Sequence, residues 1–251
     1  MKPNESLIDE MPFIAHLIEL HSRLMRVMTV IGVIFFSLVS FRNDLYTGLA
    51  APLRHLLPAG SSMIATDITS SFTTPFKLTL FIALLIAIPF VLSQLWAFIA
   101  PALYQAEKKI ATPLLGSSVV LFYTGIAFAY FVTLVPVLKF FVSVAPEHVS
   151  FMTDINAYLD FCLKFFLVFG FTFEIPIVVL LLIMAGVVST HSLIEKRRYI
   201  IVLCFFVSML VTPPDALSMT VLATLMWLLF EMGVFFGRFM EQRHSTAKAS
   251  D

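Results

Sequence analysis

The sequence predicts an all-α integral membrane protein, with six transmembrane helices in a concave bundle and both termini on the cytoplasmic side. Three observations carry that prediction. Of 251 residues, 59% are apolar and 13% charged, where soluble domains run nearer about half apolar and a quarter charged. The apolar residues gather into runs long enough to cross a bilayer, for which about 20 residues suffice. The basic residues, finally, are sorted to one side of those runs.

In chain order, residues 13–26 come first and read as an amphipathic helix. Phe13, Leu17, Leu20 and Leu24 share one stripe, while His16, Glu19, Ser22, Arg23 and Arg26 fall mostly elsewhere. Pro12 suits a first helical turn, and Asp9 and Glu10 suit the positive end of the helix dipole. Such a helix is expected to lie along the membrane surface before the chain enters it, holding Glu19 at the waterline. The N-terminus is acidic and no small-residue cleavage site precedes the first span, so a cleavable signal peptide is not expected.

Span 1 is expected at about 24–41, followed by a long loop over 42–76 that contains Pro52, Pro58 and Gly60. Span 2 covers about 78–102, interrupted by Pro89. Span 3 covers about 114–135, and the pattern allows it to continue past Pro136 to Val144. Span 4, about 159–185, carries Lys164, Glu174 and Pro176. Spans 5 and 6, about 199–211 and 216–236, are separated only by Thr212-Pro213-Pro214-Asp215 and read as short. A short span thins the bilayer or leans on its neighbours. Residues 1–241 thus form one membrane domain, and 242–251 a polar cytoplasmic tail.

Orientation follows from lysine and arginine. With the N-terminus inside, the inner segments hold Lys2, Arg23, Arg26, Lys108, Lys109, Lys196, Arg197, Arg198, Arg238, Arg243 and Lys248. The outer ones hold only Arg42, Arg54, Lys77 and Lys139. The net charge is zero, which gives no case for nucleic acid as a partner. Cys162 and Cys204 fall in different spans at different depths and read as inert thiols. The six histidines form no metal pattern, since His16 and His21 are five apart, and no nucleophile–base pair presents itself. Neither an enzyme nor a cofactor is expected.

Four carboxylates stand out. Glu19 and Glu107 fall on the same membrane face, where each could accept a guanidinium in bidentate fashion. Each also has a plainer reading: Glu19 as the i,i+4 partner of Arg23, Glu107 as a loop charge beside Lys108 and Lys109. Glu174 lies mid-span, where ionisable residues are costly and usually functional, although a hydrogen bond to a neighbouring helix would also account for it. Glu231 reads as a buried hydrogen-bonding group or an i,i+7 neighbour of Arg238. Asp160 and Lys164, four apart, read as an ion pair with the lysine stem snorkelling outward.

Several runs together resemble the TatC family, the multi-spanning core subunits of the twin-arginine protein translocase. They are His16-Leu-Ile-Glu-Leu20, Met63-Ile-Ala-Thr-Asp67, Pro75-Phe-Lys-Leu78, and Trp96-Ala-Phe-Ile-Ala-Pro-Ala-Leu-Tyr104 leading to Glu107. They continue with Phe169-Gly-Phe-Thr-Phe-Glu-Ile-Pro176, Leu210-Val-Thr-Pro-Pro-Asp215 and Phe230-Glu-Met-Gly-Val-Phe-Phe236. Any one is weak; in this order, over almost the whole chain, the set is specific. The resemblance implies a bacterial cytoplasmic-membrane protein that receives twin-arginine signal peptides of folded precursors at Glu19, Phe98 and Glu107. It also implies an oligomeric complex with single-span TatA- and TatB-like subunits docking near Met209 and Thr212, and transport driven by the proton-motive force. Two departures accompany it: His21 stands where the family commonly has a basic residue, and Met219 where a glutamine is frequent. The rival reading is a proton-coupled small-solute transporter using Glu174.

Overall fold

The structure, a computed structural model, describes residues 6–56, 64–99, 108–144, 153–212 and 215–248. Side chains are described over 17–50, 64–98, 112–144, 153–212 and 215–241. The helices are α1 (Ser6–Leu38), α2 (Arg42–Leu56), α3 (Ser70–Ile99), α4 (Lys108–Phe128), α5 (Val135–Val144), α6 (Ile155–Phe173), α7 (Ile175–Met184), α8 (Thr190–Glu195), α9 (Arg197–Val211) and α10 (Ala216–Lys248). Among the described residues five stretches are long and apolar enough to cross a membrane: Leu17–Ala50, Ser70–Phe98, Thr112–Val144, Ile155–Met184 and Ala216–Glu241. The all-α membrane class read from the sequence is therefore the observed one. The expected fifth span, α9, has 15 residues, about 22 Å of helix against a hydrocarbon core of about 30 Å.

Several expected boundaries move, each for a local reason. The amphipathic segment and span 1 are one continuous 33-residue helix, with Pro12 in its interior and no separate surface helix. No proline falls between Phe13 and Leu38 to break the ladder. The loop expected over 42–76 contains α2, joined to α1 by a 3₁₀ turn at Val39–Phe41. Its Ala50 is buried, and the Leu49 carbonyl accepts from the Tyr158 hydroxyl of α6 at 3.1 Å. The last helix is not short: α10 has 33 residues, because no proline follows Phe236 and Gly237 is packed against Ile183 of α7.

Proline is accommodated in three ways. Pro89 does not interrupt α3. It deprives the Leu85 carbonyl, four residues back, of its donor, and the Tyr123 hydroxyl of α4 supplies one at 2.8 Å. Pro136 follows a π-helical segment, Ala129–Leu134, so span 3 does continue to Val144 through a widened turn. Pro176 breaks span 4 at Glu174, which ends α6 and precedes α7.

The packing explains much of the phenylalanine content. Phe161, Phe165, Phe169 and Phe173 recur every fourth residue on α6, with ring centroids 5.4 Å apart for the first pair and 4.6 Å for the second. Phe128 of α4 stacks on Phe169 at 6.0 Å. Helices approach closely where a side chain is missing. A Cβ on Gly125 would lie 2.6 Å from the Phe169 carbonyl, and one on Gly233 would lie 3.0 Å from the Pro176 backbone. Gly233 and Gly237 form a G-x-x-x-G face on α10 against α7, the arrangement that lets membrane helices touch backbone to backbone. Cys162 and Cys204 are free and buried, as expected.

At the end where α6 begins, Asp154 ties two connections together. Its Oδ1 accepts from the amides of Asn156 and Ala157, capping α6, and its Oδ2 accepts from the Thr66 amide and hydroxyl at 2.9 and 2.6 Å. A single bridge, Ile64 to Asp154, completes the clasp. The Thr66 hydroxyl bond, with the Ala157 and Thr66 amides, holds the Asp154 carboxyl down to about 2, from 3.8. A carboxyl depressed in the folded state stabilises it above its unfolded value and loses that contribution as pH falls through the folded one. The melting-temperature gap between the wild type and Asp154→Asn in detergent is therefore expected to be constant above about pH 5. It should close between pH 4 and pH 2; a gap unchanged down to pH 2 would refute the clasp.

The expected Asp160–Lys164 pair is not formed. Asp160 instead accepts from Lys77 of α3 at 3.2 Å, and Lys77 also donates to Asn156 at 2.8 Å. The packing of α3 on α6 brings Lys77 to Asp160, a contact that spacing along one helix cannot reveal.

Candidate functional site

The best-defined polar cluster joins α1 to the C-terminal end of α3. Arg23 donates to Glu19 Oε1 from Nε at 3.0 Å and from Nη2 at 2.5 Å. Its Nη1 reaches Gln94 Oε1 at 3.4 Å, and Nη2 also reaches the Ala97 carbonyl at 3.3 Å. The last four carbonyls of a helix lack intrahelical donors and carry the negative end of its dipole, so a guanidinium there is doubly favoured. The i,i+4 pair read from the sequence thus forms, with side chains 20% exposed at Arg23 and 39% at Glu19. It also does more than that reading required, because Arg23 fixes the Glu19 carboxylate one guanidinium away from Ala97, the neighbour of Phe98. Phe98 is half-buried. Glu107 lies outside the described residues.

Glu174 sits at the α6–α7 break. Its Oε2 accepts from the Ser118 hydroxyl of α4, while Oε1 is buried with no partner among the described residues. Its backbone carbonyl accepts from Ile177 and Val178, each at 3.0 Å, which starts α7 despite Pro176. Both readings of Glu174 survive: it is bonded to a neighbouring helix, and it has one oxygen to spare.

Glu231 pairs across helices rather than with Arg238. Arg197, at the start of α9, donates to Glu231 Oε2 at 2.5 Å. The seven-residue spacing to Arg238 is outweighed because α9 packs directly along α10 and delivers a guanidinium to the carboxylate.

Met209 and Thr212 separate. Met209 is 66% exposed on α9, whereas Thr212 is buried and donates to the Ser208 carbonyl at 2.8 Å. Ser208 in turn donates to the Met219 carbonyl of α10 at 2.7 Å. The α9–α10 hydrogen bond here reaches backbone, so the methionine at 219 does not abolish it. Asp215 caps α10 by accepting from the Ser218 amide at 2.6 Å.

Sequence reasoning passed over Gln94, Ser118 and Arg197. Gln94 stands four residues before Phe98, on one helix face, and that spacing was a usable signal. Ser118 and Arg197 gain their partners from other helices and leave no local trace.

These features define a polytopic helical membrane protein whose ionisable side chains meet at helix ends and crossings. Residues 15–224 match the family model described as Sec-independent protein translocase protein (TatC). The chain is 54% identical to the TatC protein of Azotobacter chroococcum, over 96% of this chain and 94% of that one. It is 50% identical to that of Escherichia coli K12, over 93% and 91%. A crystal structure titled as the twin-arginine translocase receptor TatC superposes with a TM-score of 0.77 at 33% identity, covering 89% of this chain and 98% of that one. The chain belongs to the TatC family.

Proposed function

We propose that this protein is the core subunit and signal-peptide receptor of a twin-arginine translocase, exporting folded proteins across the bacterial cytoplasmic membrane at the expense of the proton-motive force. In this reading six spans cross the membrane with both termini cytoplasmic, residues 1–241 form the one membrane domain, and 242–251 its tail. The observation that carries it is the Glu19 carboxylate pinned by Arg23, whose guanidinium is itself anchored to the end of α3 by Gln94 and the Ala97 carbonyl. A carboxylate fixed in place by a guanidinium that also reaches Ala97, the neighbour of Phe98, suits an incoming arginine, because its orientation is set before binding. Glu107, nine residues beyond Phe98, supplies the second carboxylate. TatA- and TatB-like subunits dock along α9, with the exposed Met209 as contact and Thr212 shaping the helix end from within. The family match weighs against a small-solute transporter, which retains only the spare oxygen of Glu174 in its favour.

The test is binding of a synthetic twin-arginine signal peptide and its twin-lysine version to the detergent-solubilised protein. The lysine swap, Glu19→Gln and Glu107→Gln are each expected to weaken binding about tenfold, or about 1.4 kcal/mol. Equal binding in all combinations would leave both glutamates as waterline charges and end the receptor reading.

A further inference from the structure

A cavity of about 490 Å³ opens between the first half of α6 and the last turn of α9. Phe161, Phe165, Val168 and Leu210 wall it, and its charged groups are Asp160 and Lys164. The two charges are not equivalent. Asp160 is taken by Lys77, at 3.2 Å. Lys164 is exposed, and among the described residues no hydrogen bond or ion pair engages it. The cluster of Lys77, Asp160 and Lys164 therefore carries one net positive charge, presented at the cavity.

Depth makes this informative. Lys164 is ten residues beyond Asp154, roughly 15 Å along the helix from its cap and one turn deeper than Asp160. A free ammonium at such depth is costly without an anion or water. Aromatic and aliphatic side chains make most of the cavity's wall, and its volume falls in the range of small-molecule sites. Thr212 ends α9 at the same end of the bundle, so the cavity's mouth lies near the interface, where headgroups reside.

We propose that this cavity is a binding site for an anionic phospholipid, its phosphodiester paired with Lys164 and its acyl chains laid along Phe161, Phe165 and Leu210. The apolar walls match the chains, the unpaired cation matches the phosphate, and neutralising Asp160 through Lys77 removes the carboxylate that would repel it. The lipid would fill the gap between the short α9 and α6, giving that end of the bundle a continuous apolar surface.

Native mass spectrometry of the delipidated protein, titrated with phosphatidylglycerol and separately with phosphatidylcholine, tests the site. The wild type is expected to prefer phosphatidylglycerol. Lys164→Met should reduce that preference about fivefold, the worth of one lysine near an anionic headgroup. Lys164→Arg should keep the preference, and Asp160→Asn should raise it. Equal retention of the two lipids by the wild type, or an undiminished preference in Lys164→Met, overturns the proposal. Displacement of the lipid by inorganic phosphate would show an anion site only, and a changed oligomer mass in Lys164→Met with unchanged lipid retention would show a protein occupant; either result also overturns it.

Discussion

Gly125→Val should prevent α4 from seating on α6, at a cost of about 3 kcal/mol, the upper part of the range for overpacking a close contact. The reason is which atom the new Cβ meets. It would lie 2.6 Å from the Phe169 carbonyl oxygen and 3.0 Å from the Phe173 ring. A ring can turn aside, but a helical carbonyl cannot without breaking its own ladder. The same substitution at Gly116, on the same helix with nothing within 4 Å, supplies the control. Both variants carry the same small propensity gain, under about 1 kcal/mol, because glycine is the poorer helix former, so the difference in melting temperature in detergent isolates the packing. If Gly125→Val and Gly116→Val melt together, α4 and α6 do not touch as described.

Removing Arg197 ranks second in expected effect. Arg197→Met leaves the Glu231 carboxylate on α10 without the guanidinium that donates to it at 2.5 Å. A lost charge-assisted hydrogen bond costs about 1.5–3 kcal/mol, and exposure of 42% at Arg197 and 25% at Glu231 places this one toward the lower end. The informative result comes from a double-mutant cycle. Replacing both residues with Met should cost clearly less than the two single substitutions added together, since no unpaired charge then remains. Strict additivity in thermal unfolding would mean that the pair does not couple α9 to α10.

The Arg197–Glu231 pair also shows why sequence reading stops where it does. Position in the chain suggested Arg238, seven residues on along the same helix; the observed partner comes from 34 residues away. The same holds for Asp160, matched by spacing to Lys164 and found on Lys77. Pairs four apart on one helix are legible because helix geometry sets their distance, and Glu19–Arg23 was read correctly for that reason. Proline was only half legible. Pro89, read as interrupting its span, breaks nothing, because Tyr123 from another helix satisfies the freed carbonyl, whereas Pro176, read as lying within one span, is where α6 gives way to α7.

The sequence by itself determined the class of the molecule, the approximate position of its apolar helices, the shortness of α9 and the family to which the chain belongs. All of these rest on composition, on periodicity along one helix, or on motifs in order. Only the tertiary structure decided which charges pair, which carbonyls are rescued and which glycines carry close contacts. Within a bilayer-spanning bundle almost every residue is apolar, so the pattern no longer distinguishes a face toward lipid from a face toward protein. What distinguishes them is the neighbouring helix, and its register against the first is set by side chains far away in the chain, such as Phe169 over Gly125 and Ile183 against Gly237.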